Sequence, residues 1–132
     1  MSRVMEDYTL FLKSLLKKDI KDIETEALSD NLKKEFDKTA ENMLLKEFYE
    51  EAIKTLFLTK NFERLKKLGY ELISKNKLGH AYNCFKYSND KTGMDKVGEA
   101  YMRNAEVDNA YSAYKFSENR EMISFIEENF LR

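Results

Sequence analysis

Apolar residues in the middle of the chain follow the spacing of one helix face, then pause, then resume. From about Glu63 to Lys75 they stand three or four positions apart, which predicts a helix. The pattern resumes from about Leu78 to Ser88, and Asn76 between the two segments is a residue that tolerates the left-handed conformation ending many helices. The polar cluster at 88–90 can end the second helix and cap a third. The pattern therefore predicts a pair of helices joined by a short turn.

The same pair of helices recurs further along the chain. Superposing Phe62–Asp90 on Lys91–Asn119 aligns identical residues at six positions: Lys67/Lys96, Gly69/Gly98, Ala81/Ala110, Tyr82/Tyr111, Lys86/Lys115 and Ser88/Ser117. The second pair of helices is predicted at Thr92–Arg103 and Glu106–Ser117, with a turn near Asn104-Ala105. A fixed period of this size, about 29 residues, is typical of stacked repeats, in which each unit buries its apolar face against its neighbours.

The period extends toward both ends of the chain. It predicts repeat units at about 4–32, 33–61, 62–90 and 91–119, and a closing helix at 120–132, within a single domain spanning 1–132. The first of these units is degenerate, with Leu10, Ile20, Ile23 and Ala27 in register. The expected fold is all-α, with about four antiparallel helix hairpins and one closing helix.

Small residues occupy two recurring slots. Ala40, Gly69 and Gly98 share one slot in the first helix of a pair, and Ala52, Ala81 and Ala110 share one in the second. A glycine inside a helix costs about 1 kcal/mol relative to alanine, so its recurrence indicates a close approach between helices. We expect the alanines to face this slot and the aromatic residues at repeat positions to form the core: Phe36, Tyr82, Phe85, Tyr101, Tyr111 and Tyr114.

A known family has this spacing of small and large residues. The series Gly98, Tyr101, Ala110, Tyr114, Ser117 recurs one period earlier, and with it the segment Lys33–Asn119 resembles the tetratricopeptide repeat. The period is shorter than the ~34 residues usual in that family, and helical repeats of the kind found in coat complexes are similar in period. Both resemblances imply stacked helix hairpins whose concave face binds other proteins; we expect a right-handed α-solenoid.

Composition narrows the possible functions. The 23 basic and 24 acidic residues give a net charge of −1, so the strongly basic surface of a nucleic-acid-binding domain is not indicated. No apolar run approaches the ~20 residues that span a bilayer. The early apolar stretch Tyr8–Leu16 is interrupted by Lys13 and lacks the pattern of a signal peptide. We expect a cytoplasmic protein without membrane association.

The only histidine and the only cysteine, His80 and Cys84, share one predicted helix face. A zinc site needs three or four ligands, and a nucleophile–base pair needs a third group to orient it, so two residues are too few for either. We expect no metal, no cofactor and no enzymatic activity.

The resemblance to tetratricopeptide repeats implies which residues line the concave face. They stand at positions 2, 5, 9 and 13 of each first helix: Lys34, Asp37, Glu41, Leu45; Glu63, Lys66, Tyr70, Ser74; Thr92, Asp95, Glu99, Arg103. Of these we predict partner contacts for six: Lys66, Tyr70, Ser74, Asp95, Glu99 and Arg103. Lys66 would fit the family's carboxylate clamp for chaperone C-termini, but Tyr70 and Asp95 would not, so this ligand is not expected.

The closing helix carries two apolar stripes. Ile123, Ile126 and Phe130 are expected to pack on the preceding hairpin, which leaves Met122, Phe125 and Leu131 as a second stripe. An exposed apolar stripe marks an interface, so we predict that Met122 and Phe125 contact a partner or a second copy of the chain. The alternative is that the N-terminal helix folds back over them.

These observations predict a non-catalytic protein–protein interaction module that binds a peptide or partner helix on a concave face. The alternatives are a small regulatory or nucleic-acid-associated subunit and a structural homodimer. The pattern does not identify the partner.

Overall fold

The computed structural model describes residues 12, 13, 16, 17 and 28–131, and this part of the chain contains seven α-helices and no strand. The helices are α1 (Asp30–Leu45), α2 (Tyr49–Leu58), α3 (Phe62–Ser74), α4 (Leu78–Tyr87), α5 (Lys91–Arg103), α6 (Val107–Ser117) and α7 (Arg120–Phe130). The all-helical prediction is confirmed. The observed bounds of α3 to α6 lie within one residue of the predicted ones.

Left-handed residues end six of the helices at a regular interval. Glu47, Asn76 and Ala105, which stand at equivalent positions of successive periods, have φ of 61°, 59° and 60°. Lys60, Asn89 and Glu118 form a second series with the same interval and φ of 57°, 53° and 61°. After each of them the next amide donates back into the helix, as in the bond from Lys77 N to Leu72 O at 2.8 Å. This is the Schellman arrangement, which satisfies carbonyl groups that would otherwise lack partners.

Side chains cap the amino ends of α1, α5 and α7. Ser29 accepts from the Leu32 amide at 3.2 Å, Asp90 from the Gly93 amide at 3.1 Å, and Asn119 from the Met122 amide at 3.2 Å. The capping role predicted for the 88–90 cluster is therefore performed by Asp90. Because Ser29 caps α1, that helix begins before the predicted unit boundary at residue 33.

The chain divides into two compact units between Phe62 and Glu63. In the first unit α1 and α2 contact each other, and Phe36, Leu58 and Leu12 form a buried cluster. Leu16, Leu28, Leu32 and Met43 pack against this cluster. The residues that define the predicted repeat at 4–32 (Leu10, Ile20, Ile23 and Ala27) lie outside the described part of the chain.

In the second unit α5 contacts α4 and α6, and α6 contacts α7. Its fully or almost fully buried side chains include Leu65, Leu68, Leu72, Ala81, Cys84, Phe85, Met94, Val97, Tyr101, Ala110, Tyr114 and Ile126. Tyr82 and Tyr111, which the repeat places in the core, are only half-buried. Lys115 Nζ lies 4.5 Å from the centre of the Tyr111 ring, a distance typical of a cation–π contact.

Aromatic rings, rather than alanines, lie closest to the recurring glycines. A Cβ atom on Gly69 would lie 2.5 Å from the ring of Phe85, and one on Gly98 would lie 2.7 Å from the ring of Tyr114. Phe85 also lies directly against Gly93 on α5. The sequence predicted a close approach at these glycines but indicated Ala81 and Ala110 as the residues that face them. The structure places an aromatic ring there instead. The missing side chain makes room for a ring from the following helix.

Two hydrogen bonds join helices at equivalent places. The Thr59 hydroxyl donates to Asp37 Oδ1 at 2.6 Å in the first unit, and the Ser117 hydroxyl donates to Asp95 Oδ1 in the second. Each carboxylate is on the first helix of a pair and each hydroxyl is at the end of the second. The two bonds are separated by two sequence periods. Polar contacts as well as apolar ones therefore follow the interval of the sequence pattern.

Candidate functional site

The three predicted contact residues on α3 are exposed. Lys66 points to solvent, and the Ser74 hydroxyl donates to the Glu71 carbonyl at 2.6 Å. Tyr70 is 44% exposed although its ring packs edge-on against Phe85, with 5.0 Å between centroids. Partial burial raises the pKa of the Tyr70 phenol and Asp90 adds to the rise, while Lys96 opposes it. Tyr70 thus presents an aromatic ring at the surface, and its contact with the buried Phe85 holds that ring in place.

The three predicted contact residues on α5 differ in their availability. Asp95 is half-buried and accepts from Ser117 and from Asn119 Nδ2, the latter at 3.3 Å. Its carboxylate is therefore engaged in joining α5 to the end of α6. Glu99 and Arg103 are exposed, and Glu99 pairs with Lys96 at 3.5 Å. Of the three, Glu99 and Arg103 present polar groups that a partner could reach.

Glu99, Arg103 and Met122 come together around one cavity. The cavity, of about 340 Å³, is also lined by Met102, Tyr114 and Asn119. Burial raises the pKa of the Tyr114 phenol, with further rises from Glu99 and Asp95 and a smaller opposing effect of Arg103. The cavity joins residues from α5, α6 and α7 that are far apart in sequence. We call it the α5–α7 cavity.

An exposed aromatic pair lies on α7, the helix that contributes Met122. Phe125 is 45% exposed and Phe130 is 52% exposed, and their rings meet edge-on at 6.1 Å between centroids. Leu131 beside them is exposed as well. We call Phe125, Phe130 and Leu131 the α7 apolar patch. Exposed clusters of large apolar side chains mark interaction surfaces.

The exposure of Phe130 corrects the prediction that it packs on the preceding hairpin. The buried residues Leu72 and Tyr101 occupy the same repeat position in α3 and α5, and each precedes another helix. In the described residues no helix follows Phe130. Ile126 is buried as predicted, and Ile123 is half-buried.

Acidic residues border the α7 apolar patch. Glu121 and Glu128 stand four positions before and three positions after Phe125, so both lie next to it on the helix surface. Glu127 stands three positions before Phe130 in the same way. With Arg120 as the only basic residue of α7, the helix carries three acidic charges against one basic charge. A partner with basic side chains would complement this border.

A second concave region, which the sequence did not predict, lies where α4 and α6 begin. Two cavities of about 420 and 280 Å³ share the residues Gly79, Tyr101 and Asn109. The larger is further lined by Asn76, Leu78, Asn104 and Glu106, and the smaller by Tyr82 and Ser112. We call the combined region the α4–α6 cleft. The sequence feature that could have indicated this cleft is Gly79, a glycine within a helix, where the residue one period later is Asp108.

His80 and Cys84 both lie on α4. Cys84 is buried, and this burial raises the pKa of its thiol to about 12, despite an opposing effect of Arg64. Because the thiolate is the nucleophile and the metal ligand, a thiol with this pKa is unreactive at neutral pH. Across the described chain no three His, Cys, Asp or Glu residues are grouped as a metal site would require.

No family model, curated protein or solved structure matches this chain. Among the residues that the structure describes, none of the helices is both long enough and apolar enough to cross a bilayer.

Proposed function

We propose that this protein is a non-catalytic protein–protein interaction module whose binding surface combines the α5–α7 cavity with the α7 apolar patch. The observation that carries the proposal is the pairing of Phe125 with Phe130 at the surface, on the helix whose Met122 lines a cavity together with Met102. Exposed aromatic and methionine side chains are enriched where proteins bind each other. Glu99 and Arg103 at the same cavity would give polar specificity.

The position of Phe125 in the repeat supports this assignment. Lys67 and Lys96 occupy the same position in α3 and α5, and both are exposed. Lysine is the residue expected at a solvated helix position, whereas phenylalanine there leaves apolar surface in water. The substitution of lysine by phenylalanine in the last helix is therefore best explained by a contact outside the chain.

We further propose that each compact unit is built from stacked antiparallel hairpins similar to tetratricopeptide repeats. The regular interval between left-handed turn residues and the recurrence of glycine under an aromatic ring support this arrangement. Short connections between consecutive helices favour antiparallel neighbours. Under this proposal Lys66, Tyr70 and Ser74 extend the binding surface along α3, whereas Asp95 has a structural role.

The chemistry of the surface indicates the kind of partner. The α7 apolar patch would take the apolar face of an amphipathic helix, and Glu121 and Glu127 at its border would pair with basic residues on that helix. A symmetric contact with a second copy of the chain would bring like charges together. We therefore propose a partner helix of basic character in preference to a homodimer.

Affinity capture with the variant Phe125→Lys tests the proposed function. The variant places at position 125 the residue type that α3 and α5 carry at the equivalent position, so the fold should be retained. The intact chain should retain a defined protein from native lysate, and the variant should retain at least about tenfold less, because a buried aromatic anchor is worth ~2 kcal/mol or more. Quantitative mass spectrometry measures both.

The matched control is Phe48→Lys, the same replacement at another exposed phenylalanine, which lies between α1 and α2 and is 52% exposed. This variant should retain the partner as the intact chain does. Equal retention by all three proteins would contradict the proposal. Loss of self-association in place of a partner, seen as a halved mass of the Phe125→Lys variant, would identify the surface as a homodimer contact instead.

A further inference from the structure

The α4–α6 cleft combines a bare helix surface with convergent polar groups, and no part of the proposed function uses it. We propose that this cleft binds an extended peptide segment carrying a basic side chain. The site is formed by different residues from those of the α5–α7 cavity and the α7 apolar patch, so the two proposals can be tested independently.

Gly79 is the first reason to assign a ligand to the cleft. The other three glycines of the described chain lie directly beneath an aromatic ring, which explains the missing side chain in each. Nothing lies within 4 Å of the position that a Cβ atom on Gly79 would occupy. Since no packing within the described chain requires a glycine here, its bare backbone leaves room for a molecule that approaches from outside.

Polar groups from three helices line the cleft around Gly79. Asn109 and Ser112 from α6, Tyr82 from α4 and Tyr101 from α5 line the region around Gly79. The Tyr101 side chain is buried, and its phenol lies within electrostatic reach of Glu106 and Tyr82, both of which line the cleft. The half-burial of Tyr82, unexpected from its repeat position, follows from its place in this wall.

The lining indicates main-chain amides as the ligand chemistry. Asn104 Nδ2 donates to Asn76 Oδ1 at 2.8 Å, and this bond leaves the Asn76 amide group as a donor and the Asn104 carbonyl oxygen as an acceptor. The Asn109 carboxamide adds another donor and acceptor, the combination that a peptide group needs. Glu106 is the only carboxylate, and none of the residues that line the described cleft is lysine or arginine. An anion or nucleic-acid backbone is therefore disfavoured, and a lysine or arginine side chain beside Glu106 is favoured.

The dimensions fit a short extended segment. The lining residues on α6 run from Glu106 to Ser112, which at ~1.5 Å per helical residue is about 9 Å. An extended chain advances ~3.3 Å per residue, so the cleft accommodates about three peptide residues. The gap between the beginnings of two helices is too short for a partner helix of several turns.

The test uses the immobilised full chain and a phage-displayed library of random dodecapeptides. Selected peptides should share a lysine or arginine. Fluorescence polarisation should show that they bind the Gly79→Trp variant at least tenfold more weakly, because the tryptophan side chain would occupy the open space above position 79. Tyr101→Phe should weaken binding by about threefold to tenfold, the usual contribution of one neutral hydrogen bond. Glu106→Gln should remove the preference for the basic residue.

The matched control is Asp108→Trp, which introduces the same side chain at the equivalent position of α6, outside the cleft lining. This control and Phe125→Lys should both bind the selected peptides as the natural chain does, which separates this site from the α7 apolar patch. Equal binding by Gly79→Trp and the natural chain would overturn the proposal. A library that yields no peptide binder would overturn the proposal as well. Binding of a neutral trisaccharide such as maltotriose would not change that conclusion.

Discussion

Replacing Phe85 by alanine should lower the free energy of unfolding by about 4 kcal/mol, within the range of ~3–5 kcal/mol measured for buried phenylalanines. Phe85 is completely buried, and its ring lies directly against both Gly69 on α3 and Gly93 on α5. Neither glycine has a side chain that could move into the space, so the cavity left by the ring cannot collapse easily. Urea denaturation followed by circular dichroism measures the change.

The control for Phe85→Ala is Phe125→Ala, the same truncation at the 45% exposed ring of α7. This change should alter the free energy of unfolding by less than about 1 kcal/mol, because little apolar area is removed from the protein interior. If both variants lost the same stability, Phe85 would not be the centre of the second unit's core.

Replacing Gly98 by leucine should also destabilise the protein, by about 2–3 kcal/mol. Even the Cβ atom of the new residue would lie 2.7 Å from the ring of Tyr114, which is buried and cannot swing away. Overpacking of this kind typically costs ~1–3 kcal/mol, and the better helix propensity of leucine offsets less than ~1 kcal/mol of it. The measurement is again the midpoint and slope of urea unfolding.

Gly79→Leu provides the matched comparison for Gly98→Leu, since position 79 is open. That substitution should leave stability unchanged or raise it by up to about 1 kcal/mol, because the helix gains a better helix former. The second test is Gly98→Leu combined with Tyr114→Ala, which should be less unstable than the sum of the two single variants. Equal effects at positions 79 and 98 would contradict the ring-over-glycine packing.

The helices and their bounds were largely predictable because the sequence presents the same pattern of apolar and turn residues twice. Asn76 marked a helix end by its own chemistry, whereas Ala105 did so only by standing one period later, and both have positive φ. The start of α1 was missed because Ser29, its cap, lies before the repeat boundary. A comparison of repeat positions does not show that residues before the boundary, here 30–32, continue a helix toward its amino end.

The candidate site was predicted less completely, for two physical reasons. Repeat position alone placed Tyr82 in the core and did not reveal that it lines the α4–α6 cleft, because the burial of a side chain depends on which residues of another helix face it. The same reasoning assigned Asp95 to partner contacts, although its carboxylate accepts hydrogen bonds from Ser117 and Asn119. Phe125 was identified correctly as exposed because it lies on a second apolar stripe of the last helix, away from the stripe that contains the buried Ile126.

Site-specific photo-crosslinking tests the central claim, that the α7 apolar patch binds another protein, most directly. A photoreactive phenylalanine analogue is incorporated at position 125 of the full chain, and in a parallel sample in place of the exposed Phe48 between α1 and α2. Irradiation in native lysate should give one adduct of defined mass from position 125 and not from position 48. That adduct should disappear when Met122 is also replaced by glutamate. No adduct from position 125, or the same adducts from both positions, would contradict the account.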